Sequence, residues 1–407
     1  MNLPKGCIEY NPQFQNIIDK VVSKVSNLYT SYGFRHLDTS IIQYLETLNT
    51  TGEISKEIYS LARAKDDKDS SKTDYALRFD LTKPLARYVE ENKFDLNFPF
   101  KRWDYGQVFR GERPQKGRYR QFYQCDFDII GKESLSLYYD YEVCSIVCNI
   151  MSKLGIEDFT LKINNRKFLN DILNLLLVQK DTHKSIMNLL DKFYKLEMSV
   201  FQKELEILTS KEISDKIIFI LNESQEIHLS EIKSLFQKIN LDISQSEGYL
   251  ELKSILEFVT EKELSKIKFD LSIVRGLDYY TGFVFETYLD KEPKLGSVFS
   301  GGRYENLIES EDTKYPGVGG SIGISRLASY LESNYSEKTN VRQGFLININ
   351  TSNKSLLDKI HTLRKSGEIV SVVDLPFKKA LKIALKENFN TLVYLNDQDI
   401  IIEKKIT

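Results

Sequence analysis

Between Val108 and Gly131 the chain reads VFRGERPQKGRYRQFYQCDFDIIG, and this stretch restricts the fold more than any other. Pro114 and Gly117 interrupt two runs that alternate like strands, so the segment reads as an antiparallel hairpin closed by a tight turn. On the outgoing strand, a period of two puts Arg120, Phe122, Gln124, Asp126 and Asp128 on one face. Gln121, Tyr123, Cys125 and Phe127 take the other. An incoming strand that ends at Arg110 would add a guanidinium to the polar face. Such a face is costly to bury unless its charges are paired. Two readings follow: a solvated hairpin with balanced charges, or a ligand site. In the second, arginines grip phosphates in bidentate fashion and carboxylates receive an amine.

Three further runs carry the same question. In YALRFDLTKPLARYV, Leu77, Phe79 and Leu81 form one face and Arg78, Asp80 and Thr82 the other, which suits a buried strand or a polar site equally. In SIVRGLDYYTGFVFE, Arg275 and Gly276 interrupt an apolar strand, and Asp278, Tyr279, Tyr280 and Thr281 then supply hydrogen-bonding groups. Packing remains the alternative for the paired tyrosines. The run GVGGSIGISRL resembles a dinucleotide loop, but EDTKYP before it is no strand, so that motif fails its context. A glycine-lined wall for a flat ligand fits better, with Arg326 projecting from the helix that follows.

A chain of 407 residues is too long for one core and suits two or three units. With 41% hydrophobic and 28% charged residues it has the composition of a soluble globular protein. A formal charge of -2 excludes binding to nucleic acid through bulk charge and leaves room for local basic patches. Cys7, Cys125, Cys144 and Cys148 show no CxxC or zinc-ligand spacing and read as reduced core thiols rather than a metal or redox pair. The start, MNLPKGCIEYNPQF, lacks the pattern of a signal peptide, and no apolar run reaches membrane-spanning length; a cytosolic protein with no membrane partner is expected.

Along the chain, a helix is expected over 12–33 with Gly33 as its stop, strands near 75–82, 102–110 and 120–130, and a helix at DYEVCSIVCNIMSKLGI. Residues 166–262 turn Lys/Glu/Leu-rich and read as a helical insertion. A β-rich pattern then returns. A linker is expected at 331–342, followed by a small α/β unit over 343–407. Its two helices bear Lys354, Lys359, Arg364, Lys378 and Lys379, which suit either solvated faces or contacts to nucleic-acid phosphates.

Taken together, these motifs resemble the class II aminoacyl-tRNA synthetases. The arginine-rich hairpin is similar to their motif 2, and the glycine run ending at Arg326 to motif 3. RGLDYYTG (275–282) and SGGRYENL (300–307) look like signatures of the histidyl-tRNA synthetase family. The resemblance covers roughly residues 1–330.

It implies an α+β fold: an antiparallel sheet flanked by helices over 1–330, a helical insertion near 166–262, and a short anticodon-binding-like α/β domain at 343–407. It implies activation of L-histidine with ATP and transfer to tRNA(His), with ATP arriving as its Mg2+ complex, no tightly bound cofactor, and a homodimer. By the same resemblance, Arg110 and Arg275 are catalytic, and Arg110, Glu112, Arg118, Phe122 and Arg326 bind ATP. Asp80, Thr82, Arg110, Gln124, Asp128, Arg275, Tyr279 and Tyr280 would bind histidine, and Gln115 and Lys116 would meet the acceptor end of the tRNA. The chain departs from the family pattern at Ile8, where an arginine is usual, at Ser40 in place of the motif 1 proline, and in its short tail. The alternative is a non-catalytic relative, the histidine-binding regulatory subunit of ATP phosphoribosyltransferase.

Overall fold

The computed structural model describes residues 2–48, 54–63, 74–115, 117–224, 227–274, 280–308, 313–334, 342–349 and 354–406. The chain divides into two compact units, Met1–Tyr330 and Leu331–Thr407.

The first unit opens with α1 (Pro12–Ser31). Asn11 caps it by accepting from the Phe14 amide at 2.8 Å, and Pro12 sits at the first helical position, where its missing N–H costs nothing. Gly33, at φ +84°, ends it. The buried stripe of Phe14, Ile18, Val21, Val25 and Leu28 faces the body.

Strand β1 (Arg35–His36) comes next, then a small antiparallel ribbon of β2 (Ile42–Tyr44), β3 (Ser60–Leu61) and β4 (Tyr75–Leu77). The strand expected over 75–82 is therefore cut short. Thr82 already opens a helix (Thr82–Asn92), and Asp80 turns back to accept from the Lys83 amide at 2.9 Å. Pro84 in the first turn and a capping carboxylate two residues before the helix favour that outcome over a continued strand.

The hairpin follows as β5 (Phe100–Phe109) and β6 (Gln121–Ile130), antiparallel and in register from Phe100↔Ile130 to Phe109↔Gln121. After a helix at Tyr138–Lys153 come β7 (Phe159–Asn165), a run of helices between Arg166 and Leu264, and β8 (Ile267–Phe269). Strands β9 (Phe283–Leu289), β10 (Phe299–Tyr304) and β11 (Gly317–Gly323) then lead into a helix at Ile324–Asn334. The large sheet has the order β1-β5-β6-β11-β10-β9-β7-β8, antiparallel except for the β1/β5 and β7/β8 pairs. Its rear face packs on α1. Phe127 packs against Tyr29 of α1 (ring centroids 5.1 Å) and edge-on against Phe34 (5.4 Å).

The glycine run is itself a central strand, paired with β6 on one side and β10 on the other. Glycine is a poor strand former, so its use here has a steric cause. A Cβ at Gly317 would lie 2.3 Å from the Tyr304 ring, and one at Gly320 would lie 2.8 Å from Phe285. The expected wall is thus partly a packing device.

The second unit is a four-stranded sheet with the order β13-β12-β14-β15, built from β12 (Arg342–Asn348), β13 (Val370–Val373), β14 (Phe389–Leu395) and β15 (Ile401–Lys405). The helix at Lys354–Lys365 packs Leu356 and Ile360 against Ile347 and Val393. The helix at Phe377–Lys386 packs Ala380 and Ala384 against Leu346 and Leu392. Neighbouring strand residues face opposite ways, so the two helices cover opposite faces of the sheet.

Candidate active site

The front face of the large sheet carries a cleft of about 1720 Å³. Strand β6 sends Phe122, Gln124, Asp126 and Asp128 into it, as the period of two requires. The registers extend these positions into polar rows across the sheet. Asp126 is paired with Ser321 and Asp104, and Ser321 continues through Ser300 to Glu286. Asp128 is paired with Arg102 and Gly319.

Arg110 leaves the end of β5 and meets this face. Its Nε donates to the Phe79 carbonyl at 3.0 Å and its Nη2 to Gln124 Oε1 at 3.4 Å, with the guanidinium 5.2 Å above the Phe122 ring. Gln124 in turn donates to Ser321 Oγ at 2.5 Å. Asp80 and Thr82 enter from the segment after β4, and Tyr280 precedes β9. Asp80, Thr82, Arg110, Glu112, Gln115, Arg118, Phe122, Gln124, Asp128, Tyr280 and Arg326 all line this cleft. Lys116, Arg275 and Tyr279 lie outside the described residues.

Charge is densest at the floor. Arg102 is fully buried between Asp104 (2.6 Å) and Asp128 (3.4 Å), with further bonds to the Leu81 and Leu37 carbonyls. Tyr304 donates to Asp128 Oδ1 at 3.1 Å. Burial pushes the Asp128 carboxyl up to about 6 even though Arg102 and Tyr304 oppose the shift. Burial raises Asp80 as well, against the Lys83 amide and Arg110. Asp126 is driven well above the carboxylate range by burial, against its hydrogen bond to Ser321 and with repulsion from Asp128 adding to the rise. Three carboxyl groups raised together make a floor that gains from an arriving cation.

The turn of the hairpin is closed by paired bonds between Gln115 and Arg118 (3.1 and 2.9 Å), with Gly117 at φ +75°. Glu112 and Arg118 form an ion pair, and Arg326 donates to the carbonyls of Gly117 (3.0 Å) and Ser297. Arg118 and Arg326 are thereby held at the cleft rim.

Two residues depart from the alternation expected of the sequence. Arg120 lies one residue before β6 and turns to the N-terminal segment, donating to the Lys5 carbonyl at 3.3 Å and the Glu112 carbonyl at 3.1 Å. Arg78 does not join Asp80 and Thr82. It lies over β5, donating to the Gln107 carbonyl at 2.9 Å in space that only Gly106 leaves open, since a Cβ there would be 2.0 Å from Nη2.

Other contributors went unassigned by sequence reading. Tyr304, inside SGGRYENL, reaches Asp128, whereas Arg303 beside it faces away and grips Asp140 at 3.0 Å. Ser321 was legible as the one polar residue at the centre of the glycine run. Glu57, Asn170 and His183 come from remote segments, and no local pattern marks them, while Glu286 closes the run SIVRGLDYYTGFVFE.

Known proteins align with this arrangement. A family model described as histidyl-tRNA synthetase matches residues 6–327. The chain is similar to the histidine–tRNA ligase of Clostridium tetani, at 43% identity over 79% of this chain and 72% of that protein. It is also similar to that of Clostridium acetobutylicum, at 34% identity over 97% and 92%. The crystal structure of histidyl-tRNA synthetase from Nostoc sp. PCC 7120 superposes with a TM-score of 0.81 at 29% identity, covering 99% of this chain and 96% of that one. A Bacillus halodurans structure described as an ATP phosphoribosyltransferase regulatory subunit/histidyl-tRNA synthetase shares the fold, with a TM-score of 0.76 at 20% identity over 97% of each chain. On the family match and the identity to the clostridial ligases, the chain belongs to the histidyl-tRNA synthetase family.

Proposed function

We propose that the cleft activates L-histidine with ATP and then transfers the histidyl group to the 3′ end of tRNA(His). In the first step a carboxylate oxygen of histidine attacks the α-phosphorus and pyrophosphate leaves. In the second, a hydroxyl of the terminal ribose attacks the carbonyl carbon of the adenylate and AMP leaves. Neither step needs a strong acid or base. Both need charge neutralised at phosphorus and reactants held in line.

The observation that carries the reading is the meeting of Arg110 with the carboxyl floor of β6 in one cleft. The cationic rim (Arg110, Arg118, Arg326) suits triphosphate, and Phe122 beneath Arg110 offers a ring for the base. In this reading Arg110 bridges the α-phosphate and the amino-acid carboxylate, and Glu112 meets the adenine edge. Arg326 exchanges its carbonyl partners for the γ-phosphate, and Arg275 would neutralise charge developing at the α-phosphate. Asp80, Thr82, Gln124, Asp128, Tyr279 and Tyr280 hold the amino group and imidazole. Magnesium enters with the nucleotide, whose phosphate oxygens are its natural ligands. Gln115, exposed at the hairpin tip, and Lys116 beside it would meet the acceptor end.

Residues 1–330 would then be the catalytic domain and 343–407 a short anticodon-binding-like domain. A homodimer belongs to the same reading. Its support is the exposed apolar surface of Ile41, Ile42, Tyr44 and Tyr75 on the small ribbon, where Tyr44 and Tyr75 stack at 5.4 Å. A cytoplasmic site of action belongs to the same reading.

Histidine-dependent exchange of labelled pyrophosphate into ATP is the test. A synthetase performs it and a histidine sensor does not. In the same assay Arg275→Ala is expected to lower the rate by orders of magnitude with little change in ATP affinity. A variant that kept most of its rate would exclude the role.

A further inference from the structure

On the reading that this cleft activates histidine, we propose that Asp126 is an additional recognition residue of the amino-acid pocket, its Oδ1 accepting from the α-ammonium of the bound amino acid. Asp126 is 2% exposed and lines the cleft, yet its Oδ1 has no hydrogen-bond partner. A buried acceptor left unmatched is destabilising, and native folds seldom keep one without a use.

The other polar groups along this strand are already engaged. Gln124 receives Arg110 and donates to Ser321, and Asp128 receives Tyr304 and Arg102. Asp80 accepts from the Lys83 amide. Asp104 also has an unmatched oxygen, but it does not line the cleft. Among the described carboxylates that do, Asp126 alone presents a fully buried oxygen without a partner.

Its place decides which donor it meets. Gln124 precedes it by two residues, toward Arg110 and the phosphate end, and Asp128 follows by two, beside Tyr304. A histidine lying along β6 with its carboxylate at Arg110 and its imidazole at Asp128 puts the ammonium between them. The charges around Asp126 agree with such a ligand. Burial raises its carboxyl, Ser321 and Arg102 oppose the rise, and Asp128 and Asp80 add to it, so a cation at Oδ1 relieves the repulsion.

The test uses the full chain carrying Asp126→Asn, which keeps shape and removes charge. In pyrophosphate exchange the KM for histidine should rise between about 10- and 100-fold, as expected for a lost charged hydrogen bond, with the KM for ATP nearly unchanged. Binding of imidazole lactate, which has a hydroxyl in place of the ammonium, should be unaffected by the substitution, so the preference for histidine over this analogue collapses. A residue that only supports the sheet would lower thermal stability without changing that preference. An unchanged histidine KM, or equal rises for histidine and ATP, would overturn the assignment. Should the Asn variant fail to fold, Asp126→Ser carries the same expectations. Wild-type protein without histidine-dependent exchange would instead refute the underlying reading.

Discussion

Asp128 shows how one residue can serve binding at the expense of folding. Its folded value of about 6 stands some two units above the ordinary 3.8, so burial disfavours the charged form that a histidine ligand requires. A raised carboxyl contributes stability fully below its unfolded value, and that contribution is lost as pH rises through about 6. Asp128→Asn cannot ionise. At pH 8 it should be more stable than the parent by up to roughly 3 kcal/mol, and the gain should vanish near pH 4. Calorimetry at the two pH values checks this. The same variant should raise the KM for histidine far more than that for ATP, since a lost charged hydrogen bond is worth roughly 1.5–3 kcal/mol.

Two glycines of β11 make a matched pair at the same scale. A Cβ at Gly319 would come 2.6 Å from Asp128 Oδ1 and 2.3 Å from the Phe127 carbonyl, whereas one at Gly323 finds nothing closer than 3.7 Å. Gly319→Ala is expected to abolish measurable exchange, and Gly323→Ala to retain it. Equal loss in both would mean that the strand tolerates no side chain at either place.

At the scale of elements, the hairpin divides its arginines between chemistry and architecture. Arg110 and Arg118 reach the cleft, while Arg120 ties the N-terminal segment to the incoming arm. Gly6 makes that tie possible: at φ +89°, its missing Cβ would stand 2.8 Å from Pro114. Arg118→Ala should raise the KM for ATP with little effect on melting temperature. Arg120→Ala should lower the melting temperature and leave the KM for ATP close to the parent value. The opposite assignment of effects would show that the turn rearranges in solution.

At the scale of the molecule, the second unit cannot present all its basic residues to one ligand, because its helices lie on opposite faces of their sheet. On the Lys354–Lys365 helix, Lys359 pairs with Glu403 and Arg364 donates to the Val370 carbonyl at 3.4 Å. Lys378 and Lys379 stand exposed on the other helix. Charge reversal at Lys378 and Lys379 should therefore weaken aminoacylation and its salt dependence, and reversal at Lys359 and Arg364 should do so far less. Removing residues 341–407 should leave pyrophosphate exchange largely intact while aminoacylation falls sharply, provided light scattering shows an unchanged oligomeric state. A truncated protein that charged tRNA like the parent would exclude a tRNA-binding role for this unit.

The local pattern alone marked most of the elements and the cleft-lining face of β6. Alternation along 121–128 separated the cleft face of β6 from its opposite face, Gly33 marked the end of α1, and motif order identified the family. These features depend on neighbours in sequence. What only the tertiary structure decided depends on register and burial. It ended β4 at Leu77, and it gave Arg78, Arg120 and Arg303 to the framework. It made a strand of a glycine run, because rings from β9 and β10 occupy the space where side chains would stand. It also set Asp126, Ser321, Ser300 and Glu286 in one row from four strands. A chain's composition records which charges it carries; which of them find partners is settled only when distant strands come into register.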